Sequence, residues 1–476
     1  MRKNIKISIA SVICAAFLAA CGTGKTTTSK EVSAATPQTD FHSYINADWL
    51  KETKLGKGQS QIDNLSQLTE KTQKAIQEMI DQLDMDYSNL EAGSDEKKLI
   101  NFYRLAADFE SRNRLGLEPV KPYLDEIQKA TSMADLNKVL ISLYGKNIRN
   151  VLNLSVTQDI MDSNKNSLYL DPHKLSFPKE NYEGTDDFSL KNQKAFKAYL
   201  EKVFVMAGAS SKEAATKAEK VFELEKELAA AQLPQEKAKD IKTAYNPKSW
   251  DDVKALAPNL PITELAANLG VQDAPFVVVT DPEGLKKVSE LYQEKHLEAL
   301  KALLQYRVIA HYSDYLSEDL IEAKAKYEGV ANGAVDIPTT DVLAQSAVEE
   351  NFSDMVGKVY VKNHFSEESK ADIQAMVQEI KQTYAERIKA VQWMSEETKM
   401  QALKKLDTMV VKIGYPDKWK DYSNYTIQSK EEGGSIVPAV EMIRTQELQE
   451  EMAQLKNPFD KSQFGMPAHM VNAYYS

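Results

Sequence analysis

The sequence predicts a mainly α fold with few short strands, and three observations carry that reading. Apolar residues recur at three- and four-residue spacing along most of the chain. Serines followed by acids stand where such periodic segments begin. Alternating period-two runs are confined to one hairpin, one further short strand and the last residues. With 42% hydrophobic residues over 476 positions, two or three domains can bury large cores without a disulfide or metal staple.

At the amino terminus Arg2, Lys3 and Lys6 precede the apolar run Ile7 to Ala20. The run is too short to span a membrane comfortably and suits a signal peptide, residues 1–20. Leu18-Ala19-Ala20-Cys21 resembles the lipobox of bacterial lipoproteins, in which the cysteine thiol takes the lipid. Cys21 is therefore the expected lipidation residue, at roughly 0.8 kcal/mol of membrane affinity per buried methylene. The expected location is exported and lipid-anchored to the outer face of a bacterial cell membrane. Cys14 falls in the discarded segment, so the mature chain has neither a disulfide nor a free catalytic thiol. Residues 21–40, rich in Gly, Thr, Ser and Ala, read as a flexible tether. Gly24-Lys25-Thr26 mimics a phosphate loop, but the leading glycine position is Ala19 and no strand precedes it.

Order is expected from Phe41, where Phe41, Tyr44, Ile45 and Trp49 load a short segment that should dock on the body. Ile62, Leu65, Leu68, Ile76, Met79, Ile80 and Leu83 then form one face of an amphipathic helix. Ser94, with Asp95 and Glu96 behind it, caps a second helix through Leu99, Phe102 and Phe109. Further helical faces run over 120–127, 136–143, 188–206, 214–231 and 285–312. The hairpin joins Leu152–Val156 to Leu168–Leu170 through the polar loop Asp159–Asn166, and the short strand is Phe276–Val279. The longest periodic segment aligns Ile373, Met376, Ile380, Tyr384, Ile388 and Val391, and is expected to hold its neighbours together; Trp393 and Trp419 read as core. Ser395 caps a helix through Ala402, Leu406 and Met409, ended by Gly414, Tyr415 and Pro416.

The chemistry is constrained mostly by exclusion. A net charge of −11, with Lys and Arg interleaved among acids, leaves no basic stripe for nucleic acid. None of the six histidines has a partner at i+4, and no H-E-x-x-H occurs. Asp84-x-Asp86-x-Ser88 and Asp162-x-Asn164-x-Asn166 faintly resemble calcium loops, yet the glycine position holds Asn89 or Ser167 and the twelfth Asp95 or His173, so both read as turns. No serine lies in a G-x-S-x-G elbow. The stretch Met466 to Ser476 alternates Val471, Ala473 and Tyr475 with Asn472 and Tyr474, a short strand by pattern. By pattern it suits first a fraying terminus, and otherwise an edge that pairs with an extended peptide, beside which the Asn472 amide offers both donor and acceptor.

Six stretches decide between these readings: FHSYINADW at 41–49, LEKELA at 224–229, AYNPKSW at 244–250, WMSEETKMQALKKL at 393–406, IGYPDKW at 413–419 and VNAYY at 471–475. Together, in this order, they resemble the amino-terminal region of neprilysin-type zinc metallopeptidases of the bacterial oligopeptidase O kind. The resemblance covers nearly everything after the tether. It implies two largely helical lobes over a cavity, one thermolysin-like and zinc-bearing, the other a cap that excludes large proteins. Residues 41–476 then divide into a helical cap lobe at about 90–390 and an incomplete catalytic lobe from 41–89 and 391–476. The implied activity is cleavage of small peptides, and the resemblance assigns Asn472 and Ala473 to the strand that binds substrate main chain.

Family members continue past this strand into a zinc helix with two histidines and a glutamate, a later glutamate ligand and a transition-state histidine. The sequence stops at Ser476. The expectation is a truncated relative with no catalytic residue, no metal ligand and no cofactor of its own, zinc belonging to the complete enzyme. It should be inactive alone, acting on small peptides only if the catalytic part is supplied, and its terminal strand should be an unsatisfied edge. Near Gly58, where some animal members have an arginine for the substrate carboxylate, only Lys57 is offered, so dipeptide-releasing specificity does not carry over. Two other readings stand beside this one: a surface-displayed binding lipoprotein, and one piece of a split enzyme completed by a separate carboxyl-terminal fragment.

Overall fold

The structure, a computed structural model, describes residues 35–56, 61–172, 174–333, 335 and 337–475. Helix α1 (Asn64–Met85) opens on a reciprocal cap, in which Asp63 Oδ1 accepts the Ser66 amide at 2.7 Å and Ser66 Oγ accepts the Asp63 amide at 2.8 Å. Ser94 caps α2 (Asp95–Ala107) with two acids in the first turn, as the sequence predicts. Helix α3 (Met133–Gly145) buries Leu136, Val139, Leu140 and Leu143 on one face. Next come strands β1 (Leu152–Gln158) and β2 (Asn166–Pro172), then α4 (Asp187–Met206) and α5 (Ser211–Ala231), the latter capped by the Ser210–Glu213 box.

Strands β3 (Asn246–Lys248) and β4 (Val277–Val279) complete a four-stranded sheet in the order β1-β2-β4-β3. The predicted hairpin is antiparallel, with Leu154 opposite Leu170 and Val156 opposite Leu168. β4 runs parallel to β2, Leu168 opposite Val277, and antiparallel to β3. All three β4 valines are buried, the unbroken apolar run of a strand covered on both faces. β1 is a sheet edge, and side chains cover it: the Leu154 amide donates to Tyr144 Oη at 2.7 Å and the Val156 amide to Glu451 Oε1 at 3.2 Å.

The carboxyl-terminal half continues through α6 (Leu297–Tyr312), α7 (Glu318–Asn332), α8 (Thr340–Asn351), α9 (Ser353–His364), α10 (Glu367–Ala390), α11 (Glu396–Asp407) and α12 (Ile436–Ala453). One continuous apolar core joins α1, α2, the sheet, α6, α8 and α12. Phe352, between α8 and α9, meets Phe102 of α2 edge-on at 5.2 Å. α12 clasps the hairpin from outside, through Arg149–Glu451 at 2.7 Å and Asn166 Nδ2 donating to the Gln454 carbonyl just beyond its end at 3.0 Å.

Several expectations need correction. The long periodic helix forms as α10 but buries none of its residues; Ile373, Met376, Ile380 and Tyr384 stay 37–59% exposed. Its apolar stripe faces away from the core, so it does not hold the lobe together. Trp393 is 77% exposed and not core, whereas Trp419 is half-buried. The 41–50 segment forms two short helices whose Phe41, Tyr44 and Ile45 remain exposed, and only Trp49 docks, its Nε1 donating to Gln67 at 3.2 Å. α11 stops at Asp407, short of Gly414. Residues 471–475 are not a strand, because no described strand pairs with them and the Asn472 and Ala473 amides bond locally.

Candidate functional site

The terminal segment lies across α9 and reaches back to α8. Gly357 of α9 lets it approach: a Cβ there would stand 3.3 Å from both the Cβ and the amide nitrogen of Ala468, and 3.4 Å from the Trp419 ring. Trp419 stacks in turn on Tyr415 with ring centroids 6.3 Å apart. The next residue, His469, is buried, and its Nε2 stands 3.4 Å from Glu349 Oε2. The Glu349 carboxylate also accepts from Gln345 Nε2 at 2.8 Å and Gln73 Nε2 at 3.1 Å, so α8, α1 and the terminal segment meet at one anion. Burial raises the pKa of Asp354 on α9, opposed by the charges of Lys420 and His469.

The adjacent acid on α8 points elsewhere. Glu350 Oε1 accepts from Arg444 Nη2 of α12 at 2.7 Å, and Tyr315 Oη donates to its other oxygen at 2.9 Å. Burial and the Asp314 charge push the Glu350 carboxyl up, against the Tyr315 hydrogen bond and the Lys324 charge. Consecutive acids of one helix thus fasten two different elements.

Beyond this anchor the chain emerges. Val471 is half-buried, while Asn472, Ala473, Tyr474 and Tyr475 are exposed. The Met470 amide donates to the Pro467 carbonyl and the Asn472 amide to that of Met470, both turn-like contacts. Lys405 of α11 lies 5.9 Å from the Tyr475 ring. The two residues assigned to peptide main chain therefore stand on the surface immediately after a fixed point.

Cys21 with the whole leader, Lys57, Gly58 and His173 lie outside the described residues. The other histidines are scattered: His42 and His364 are exposed, the latter stacked on Tyr360 at 4.8 Å, and His296 precedes α6. His311 has its Nε2 buried without a hydrogen-bond partner, and burial, helped by Arg149, pulls its pKa down to about 4. Among the described residues no three His, Cys, Asp or Glu side chains group as a metal site. In the calcium-like hairpin loop, Asp159 Oδ1 accepts the Met161 and Asp162 amides, and Asp162 Oδ1 accepts that of Asn164; the carboxylates serve the turn itself. Among the described residues no helix is long and apolar enough to cross a membrane. Sequence reasoning missed His469 and Glu349 as a pair, since their separation along the chain leaves no spacing signal.

The profile of Peptidase family M13 matches residues 37–416. A neutral endopeptidase of Lactobacillus helveticus is 23% identical over 93% of this chain and 68% of its own length. A neutral endopeptidase of Lactococcus lactis subsp. lactis is 25% identical over 92% and 69%. Among solved structures, the Mycobacterium tuberculosis zinc metalloprotease Zmp1 in complex with an inhibitor superposes with a TM-score of 0.84 at 24% identity, over 93% of this chain and 67% of that one. PepO from Lactobacillus rhamnosis gives 0.82 at 22%, over 93% and 69%. At these identities the superpositions establish the fold alone; the profile match, over most of the chain, establishes the family. The chain belongs to peptidase family M13, the neprilysin-type metallopeptidases.

Proposed function

We propose that this chain is the amino-terminal, peptide-binding part of a neprilysin-like zinc endopeptidase acting on small peptides. The observation that carries the reading is the presentation of Asn472 and Ala473, exposed on a segment that His469 and Ala468 fix to the lobe. Main chain that is not engaged in a sheet can accept an extended peptide by strand addition, and a side-chain amide beside it supplies one donor and one acceptor.

The zinc in the names of relatives finds no fitting donor set here. The sequence has no H-E-x-x-H, and the described residues group no three ligands. A catalytic zinc takes about three protein ligands plus water, so no step is assigned to it. The 476-residue chain should hold peptides without cutting them. Anisotropy of a fluorescent short peptide tests this: the parent should bind and Asn472→Ala should weaken binding. Equal affinity of both would overturn the role of Asn472. Stoichiometric zinc together with chelator-sensitive cleavage would overturn the inactivity.

Attachment through Cys21 belongs to the same proposal, resting on the basic start, the apolar run and the small residues before the cysteine. Cys21→Ala should leave the membrane fraction; a variant that stays there with its leader removed would refute lipidation. The bare α10 stripe of Ile373, Met376, Ile380 and Tyr384 favours a second reading, completion by a separate carboxyl-terminal fragment. Co-expression with the last third of a relative should then quench labelling at Met376→Cys in a Cys21→Ala background.

A further inference from the structure

We propose that His469 is the positioning residue for the Asn472–Ala473 pair, an inference that rests on the peptide-binding reading above. The terminal segment has no sheet partner among the described residues to set its place, so its position relative to the lobe must come from side chains. Two of these contacts lie just before Asn472. Ala468 seated over Gly357 fixes the distance from α9, and it is apolar and tolerant of sliding. The contact of His469 Nε2 with Glu349 Oε2, at 3.4 Å, is polar and buried on both sides.

Glu349 is itself immobilised. Gln345 and Gln73 each donate to it, and Gln345 Nε2 also donates to the Gln73 carbonyl at 3.0 Å and to Gln73 Oε1 at 2.6 Å. The anion is therefore held by two helices before the histidine reaches it. His469 Nδ1 is buried without a hydrogen-bond partner, so the Nε2 side that faces Glu349 is where the ring makes its polar contact. Only two residues, Met470 and Val471, separate this fixed point from Asn472.

Hydrogen exchange on the full chain tests the anchor. His469→Ala should speed exchange over 467–473 roughly ten-fold, as for loss of one buried polar contact, with α3 unchanged. His469→Gln, whose amide nitrogen reaches about where Nε2 stands, should restore slow exchange. A His469→Ala segment that exchanges like the parent, or a Gln variant as fast as Ala, would overturn the proposal, as would equal loss of protection in α3. Peptide affinity of Asn472→Ala is scored separately, so the anchor and the peptide reading can fail independently.

Discussion

The Asn472 side-chain oxygen accepts the amide hydrogen of Ala473 at 2.8 Å. In the peptide-free chain these two residues are thus bonded to each other, and a peptide that uses either group must displace that contact. Ala473→Pro removes the donor. Losing one main-chain hydrogen bond to the peptide corresponds to about 1 kcal/mol, a roughly five-fold weaker Kd. Anisotropy titration of parent and variant with one fluorescent peptide measures it, and an unchanged Kd would show that the Ala473 amide takes no part.

Gly414 has φ +65°, and a Cβ there would lie 2.6 Å from Phe365 Cε1, while the ring itself meets Tyr415 edge-on. Gly414→Ala should cost on the order of 2 kcal/mol, combining the left-handed backbone with displacement of the ring. Gly93, at φ +79° with open space around it, is the control: Gly93→Ala carries the backbone cost alone. Urea midpoints should fall further for the first variant than for the second.

Arg444 is buried, and its guanidinium binds Glu350 on the neighbouring helix α8. Arg444→Met leaves that carboxylate poorly solvated and should destabilise the protein by about 3 kcal/mol. Adding Glu350→Gln should recover part of the loss, because the orphaned charge is gone. Calorimetric melting of the two single variants and the double variant closes the cycle; additive losses would mean that the pair does not interact.

His311 titrates near 4 in the folded chain, below its ordinary value of about 6.5. The fold therefore favours the neutral ring. That contribution is fully present above about 6.5 and is lost as pH falls through about 4, amounting to about 3 kcal/mol. His311→Leu should flatten the acid limb of the stability profile over this window, and denaturant melts at pH 7 and pH 4 would reveal it.

Where local physics decides, the sequence was legible. The cap at Ser94, the hairpin at 152–170 and the helices at 136–143, 188–206 and 214–231 follow from periodicity and side chains that bond their own backbone. α8 escaped notice because Gln345, Glu349 and Asn351 stand on its buried face, interrupting the apolar period that betrays a helix. α12 contains Pro438, which reads as a breaker although it falls in the first turn, where its missing amide hydrogen is harmless. The period of α10 is legible in the sequence and its burial is not, since periodicity states that a face exists and is silent on what covers it. The anchor at His469 depends on a partner brought near only by tertiary folding.

The grip of α12 on the hairpin has a consequence for a chain emerging from a ribosome. Arg149 and Glu451 are 302 residues apart, so at 5–20 residues per second the edge of β1 waits about 15–60 s for the side chain that shields the Val156 amide. Through that interval Tyr144, already made, protects only the Leu154 position. The nascent polypeptide thus carries a half-guarded strand until α12 has emerged and sealed it.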